Sequence, residues 1–109
     1  MEYNKIVRDK IPEIIAKQGK KVRFKTMMGE ELRQALKDKL VEEVQELIKA
    51  ETEEQIIEEM ADVQEVLTAI RYAHSIKYHE VEDARSKKGF EKGRFINGYY
   101  LETVEEEEQ

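Results

Sequence analysis

Two groups of acidic residues have a spacing that suits cation chemistry: Glu42, Glu43 and Glu46, then Glu58, Glu59 and Asp62. On a helix, side chains three residues apart lie one above the other, about one turn apart. At about 100° per residue, Glu43 falls inside the arc formed by Leu32, Leu36, Leu40, Val44, Leu47 and Ile48. Glu46 lies about 60° away at the edge of that arc, and Glu42 points further round toward solvent. Glu59 falls between Val66 and Ile70 in projection, with Asp62 about 60° away and Glu58 facing outward. A carboxylate among leucines is costly unless a cation or a hydrogen-bond donor compensates it. If the two helices are antiparallel neighbours, Glu43, Glu46, Glu59 and Asp62 converge into one anionic cluster. A hard divalent ion with oxygen ligands balances such a cluster, and Mg²⁺, with Mn²⁺ as a substitute, suits a site that keeps waters and shares phosphate oxygens. Lys39, one turn before Glu43, is placed to neutralise the cluster or to reach a phosphate.

The elements that must position these groups follow from periodicity. Residues 10–18 read as a short helix capped by Asp9, with Pro12 tolerated in its first turn and Gly19 suited to a left-handed C-cap. Lys20 to Thr26 alternates apolar and basic residues, which suggests an extended linker or short strand too brief to found a sheet. A long helix is expected from Glu30 to Ala50. Thr52 followed by Gln55 is a capping box that starts a second long helix, expected over Glu53 to Tyr78 with Ile56, Met60, Val63, Leu67 and Ile70 on one face. The short break between the two makes them an antiparallel hairpin, and residues 80–88 read as a further short helix before Gly89. Gly89, Gly93 and Gly98 then punctuate a loop and an extended stretch. The fold class is all-α.

At 109 residues the chain has the size of one domain. Its 39% hydrophobic and 7% aromatic content is lean for an isolated core, so a homo-oligomer is expected to bury what one copy leaves exposed. The absence of cysteine excludes disulfides and thiolate metal sites. With no leader pattern and no long apolar run, the cytoplasm is the expected compartment and no membrane partner is expected. The net charge is −6, but Glu102, Glu105, Glu106, Glu107 and Glu108 concentrate the excess in the C-terminal tail, leaving about −1 for residues 1–101. Residues 1–101 are therefore read as the domain and 102–109 as a solvated, disordered acidic tail.

Basic residues fall into two clusters. Lys5, Arg8 and Lys10 form one, and Lys87, Lys88, Lys92 and Arg94 form another beside Gly89 and Gly93, where backbone amides can also approach an anion. Lys39, Arg8, Lys10, Lys87, Lys88 and Arg94 are the candidate substrate-binding residues. Arg71 and His74 project toward the apolar side near the end of the second long helix, with Arg71 set to pair with a carboxylate or to favour the helix dipole and His74 to fill a core or interface position. No helix carries a dominant basic face or an aromatic-basic alternation, which disfavours nucleic acid as a partner.

The run Glu42-Glu43-Val44-Gln45-Glu46, followed after twelve residues by Glu59-Met60-Ala61-Asp62, resembles the EExxE…ExxD signature of the MazG-like all-α nucleotide pyrophosphohydrolases. The opening Tyr3-Asn4-Lys5-Ile6-Val7-Arg8-Asp9-Lys10-Ile11-Pro12 is similar to the start of the branch labelled phosphoribosyl-ATP pyrophosphohydrolase-like. The resemblance covers nearly the whole chain except the acidic tail. It implies an antiparallel helical bundle completed by dimer or tetramer formation. It also implies Mg²⁺-dependent hydrolysis of a nucleoside triphosphate to monophosphate and pyrophosphate, with Glu43, Glu46, Glu59 and Asp62 as metal ligands. Glu46, or else Glu43, is the expected general base for water attack at the α-phosphorus.

Two other readings stand beside this one. The first changes the substrate to phosphoribosyl-ATP in histidine biosynthesis. The second is a non-catalytic helical module for nucleotide binding or assembly. There the carboxylates serve only salt bridges, as acidic faces often do in a chain that is 40% charged.

Overall fold

The computed structural model of the chain describes residues 3–106. Four helices occur in them, α1 (Ile11–Lys17), α2 (Gly29–Lys49), α3 (Glu53–Ala73) and α4 (Tyr78–Lys92), with no strand among the described residues. The all-α reading holds. Residues 20–28 carry no regular secondary structure. The chain divides into two compact units, Met1–Ile76 and Lys77–Gln109.

In the first unit α1 begins at Ile11 with Pro12 in its first turn, where the missing amide costs no intrahelical bond. Lys10, not Asp9, occupies the N-cap position, and no side chain caps the helix. The end is as the glycine pattern suggests: Gly19 takes φ +81° and its N–H donates to Ala16 O at 3.0 Å. The capping box of α3 is formed, with Gln55 N–H donating to Thr52 Oγ1 at 3.1 Å and Thr52 N–H donating back to Gln55 Oε1 at 3.3 Å. Only three residues, Ala50 to Thr52, separate α2 from α3, and the two helices pack on each other.

Of the two long helices, the second ends differently from the periodicity. It was expected to reach Tyr78 but stops at Ala73, because the next residues close a Schellman motif. Ser75 sits at φ +56° and its N–H donates to Tyr72 O, while Ile76 N–H donates to Arg71 O, both at 3.0 Å. Arg71 reinforces the stop by donating from Nη1 to Ile76 O at 3.1 Å, and its guanidinium lies 4.7 Å from the Tyr72 ring centroid. A left-handed serine, not glycine, ends this helix, so no sequence signal marked the position.

In the second unit α4 is longer than the expected 80–88 and runs through Gly89. Its start is fixed by Glu80 Oε2, which accepts from Lys77 N–H at 2.8 Å. Gly89 is helical and gives the Arg94 guanidinium room: a Cβ there would lie 2.8 Å from Arg94 Cζ. The residue that stops the helix is Gly93, at φ +83°. Residues 93–106 carry no regular secondary structure, and Glu102, Glu105 and Glu106 are exposed, whereas Glu107 and Glu108 lie outside the described residues.

The core is thin. Among the described residues only Leu36 of α2 and Val66 of α3 are buried, at 6% and 8% exposure. They lie on the two helices that pack on each other. Val41, Ile48, Ile57, Met60 and Leu67 of the same two helices remain substantially exposed.

Candidate metal centre

The α2–α3 hairpin brings together three of the four carboxylates singled out by helical projection. Glu43 from α2 and Glu59 and Asp62 from α3 each offer an oxygen, and the three oxygens lie within 4.8 Å of one another. All three side chains are half-buried, which follows from their position at the edge of the apolar seam. Glu46 stands one turn beyond Glu43 on α2, exposed and outside this trio, yet near enough for its charge to act on Glu59. Glu58 contributes to the same field.

Partial withdrawal of Glu59 from water raises its carboxyl above the ordinary glutamate range, and the charges of Asp62, Glu43, Glu46 and Glu58 raise it further. Ionised Glu59 is thus held in a repulsive field. The outer carboxylate behaves oppositely: a hydrogen bond from Lys5, aided by the charge of Lys39, lowers Glu42 below its usual range.

Cations line the trio. Arg8 Nη2 donates to Asp62 Oδ1 at 2.7 Å, joining a segment ahead of α1 to the middle of α3. Lys39 Nζ lies 3.2 Å from Glu43 Oε1 and 3.5 Å from Glu42 Oε1, and Lys5 Nζ donates to Glu42 Oε1 at 3.2 Å. Of the expected phosphate-binding residues, Lys39 and Arg8 therefore stand at the carboxylates. Lys10 is exposed at the N-cap of α1. Lys87, Lys88 and Arg94 belong to the second unit, with the two lysines exposed on α4 and Arg94 lying against Gly89. Sequence reasoning set Glu42 aside as a solvent-facing acid and did not pair Lys5 with it. Their separation of 37 residues leaves no local pattern to read.

The donor set fits a hard divalent ion. Three carboxylate oxygens on two helices match the oxygen preference of a hard ion such as Mg²⁺ or Mn²⁺. Adjacent ligands of an octahedral Mg²⁺ lie about 2.9 Å apart, so a trio spread over as much as 4.8 Å would have to draw together around such an ion. Glu43, Glu59 and Asp62 would hold the ion, whereas Glu46, also expected as a ligand, is exposed and stands outside the trio. No family model matches the chain, and neither a curated protein nor a solved structure matches it.

Proposed function

We propose that this protein is a Mg²⁺-dependent nucleoside triphosphate pyrophosphohydrolase of the MazG-like kind. The observation that carries the reading is the convergence of Glu43, Glu59 and Asp62 from the two halves of the EExxE…ExxD pattern onto one point of the hairpin. A bound Mg²⁺ supplies positive charge against the phosphate oxygens and lowers the pKa of water at the site.

The chain's own residues have separate tasks in this reaction. Glu43, Glu59 and Asp62 hold the ion. Glu46, exposed and outside the trio, takes the proton of the attacking water. The water oxygen forms a bond to the α-phosphorus, the α–β bridging bond breaks, and pyrophosphate departs with the electron pair. Lys39, 3.2 Å from Glu43, would offer its ammonium to a phosphate of the substrate.

A panel of nucleoside triphosphates and phosphoribosyl-ATP, assayed with Mg²⁺ or with chelator, tests the activity and names the substrate class. Pyrophosphate and monophosphate in equal amounts, formed only with the ion, are expected. The ion pairs of Asp62 with Arg8 and of Glu43 with Lys39 favour the second reading, in which the acids only brace the helices. That reading prevails if no substrate turns over and Mg²⁺ leaves thermal stability unchanged.

Self-association is part of the proposal. A chain with two buried apolar side chains among its described residues, and with Ile48 at 76% and Leu67 at 49% exposure on the hairpin, gains stability by covering that surface with another copy. Sedimentation equilibrium is expected to give a dimer or tetramer of the 12.9 kDa chain. A monomer at all concentrations tested would refute it.

A further inference from the structure

We infer that Arg8 is the built-in counter-ion of the carboxylate centre, exchanging its partner from Asp62 to a substrate phosphate when a divalent ion binds. The inference rests on the reading of Glu43, Glu59 and Asp62 as an ion site and adds a device that governs it. Arg8 precedes α1, 54 residues from Asp62 in sequence, and its guanidinium meets Asp62 Oδ1 at 2.7 Å. That oxygen belongs to one of the three carboxylates that converge, so the guanidinium and a divalent ion compete for the same acid.

The competition is weighted toward exchange. The Arg8 side chain is 58% exposed and that of Asp62 38%, so their pair is water-screened and of the strength of a surface salt bridge. Lys39 differs, since its side chain is 19% exposed and it bears on Glu43, itself at 12%, from one turn away on the same helix. Lys39 is a fixed charge of the site, whereas Arg8 reaches it from outside the hairpin. An ion that takes the Asp62 carboxylate releases a guanidinium within a side-chain length of itself. A fork of five donors next to a cation-bound triphosphate finds phosphate oxygens to bind in bidentate fashion. Guanidinium and ion are thus rivals in the absence of nucleotide and collaborators in its presence.

Opposite signs in one variant make this testable. In Arg8→Gln, Mn²⁺ binding measured by calorimetry without nucleotide is expected to tighten about 2- to 5-fold, the range that loss of an exposed ion pair corresponds to. The KM for the best nucleotide substrate of the panel is expected to rise in the same variant. Lys17→Gln, which removes an equal charge from a pair with Glu13 on α1, controls for net charge and should leave Mn²⁺ affinity unchanged. Circular dichroism melting of each variant checks the fold. Wild-type protein that binds Mn²⁺ with an affinity unaltered or weakened in Arg8→Gln overturns the exchange while leaving the metal centre standing. Absence of Mn²⁺ binding by wild type and variant alike overturns both.

Discussion

Replacing Glu59 by glutamine is expected to abolish pyrophosphate release and, at the same time, to stabilise the chelator-treated protein at neutral pH. The two effects share one cause. Glu59 lies at the meeting point of Asp62, Glu43, Glu46 and Glu58, and its ionised form is disfavoured there by partial burial and then by those charges. Linkage fixes the sign: an acid whose folded pKa is raised favours the folded state below its unfolded pKa. That contribution is lost as pH rises through the folded value. The Glu59 contribution to the chelated wild type is therefore lost as pH climbs out of the carboxylate range, and Glu59→Gln is free of that loss. The melting curves of the two proteins should converge in acid and separate toward neutrality, with the variant the higher.

Mg²⁺ should reverse that order. At about 100 times its Kd an ion bound only to the folded state adds about 2.7 kcal/mol to the wild type, and the variant lacks one of its three ligands. Changes one shell out from a metal commonly cost about 10- to 100-fold in affinity or activity, so loss of a direct ligand should lower kcat/KM by at least roughly 100-fold. Hydrolysis by Glu59→Gln at the wild-type rate would remove Glu59 from the centre. A variant less stable than wild type in chelator at neutral pH would contradict the electrostatic account.

Leu36→Ala is expected to have the largest effect on stability of any single side-chain truncation in the first unit. Leu36, at 6% exposure, is one of the two buried apolar side chains described, and it lies on α2, which packs against α3. Truncating a buried leucine costs about 2 to 5 kcal/mol, a large share of the total stability of a domain this size. Urea denaturation should show the midpoint falling accordingly, with Mg²⁺ affinity lost as the hairpin loosens. Ile48→Ala supplies the contrast. At 76% exposure it should change the stability of an isolated chain by no more than about 0.5 kcal/mol. If Ile48 is covered by a second copy, the same change weakens association. A Leu36→Ala midpoint within experimental scatter of wild type would mean that the seam does not carry the fold.

The hairpin and its acid trio were legible because both rest on helical periodicity. A 3.6-residue repeat places Leu36 and Val66 inward and sets Glu43, Glu59 and Asp62 at the margin of the same seam. Thr52 and Gln55 announced the start of α3 by side-chain chemistry that needs no tertiary context. Its end was hidden, since Ser75 adopts a left-handed conformation that glycine would have advertised. Gly89 misled in the opposite direction, as a helical residue that looked like a stop, with Gly93 four residues on as the true one. The Arg8–Asp62 and Lys5–Glu42 pairs were illegible for a different reason. They join an irregular segment to helices 54 and 37 residues away, and neither period nor motif relates such positions.

The three-residue connection from Ala50 to Thr52 also governs how quickly the three carboxylates come together. A loop this short adds little closure entropy, and the contacts of the hairpin it joins accumulate outward from the turn, between residues near in sequence. Glu43 and Glu59 are separated by 16 positions, so the two helices need only close next to the turn to bring them side by side. Pairing of this kind belongs to the fast, locally driven regime of folding, whereas any union with another copy would wait on diffusion and slow with dilution. During synthesis the acids of one chain can thus meet without the help of a second copy.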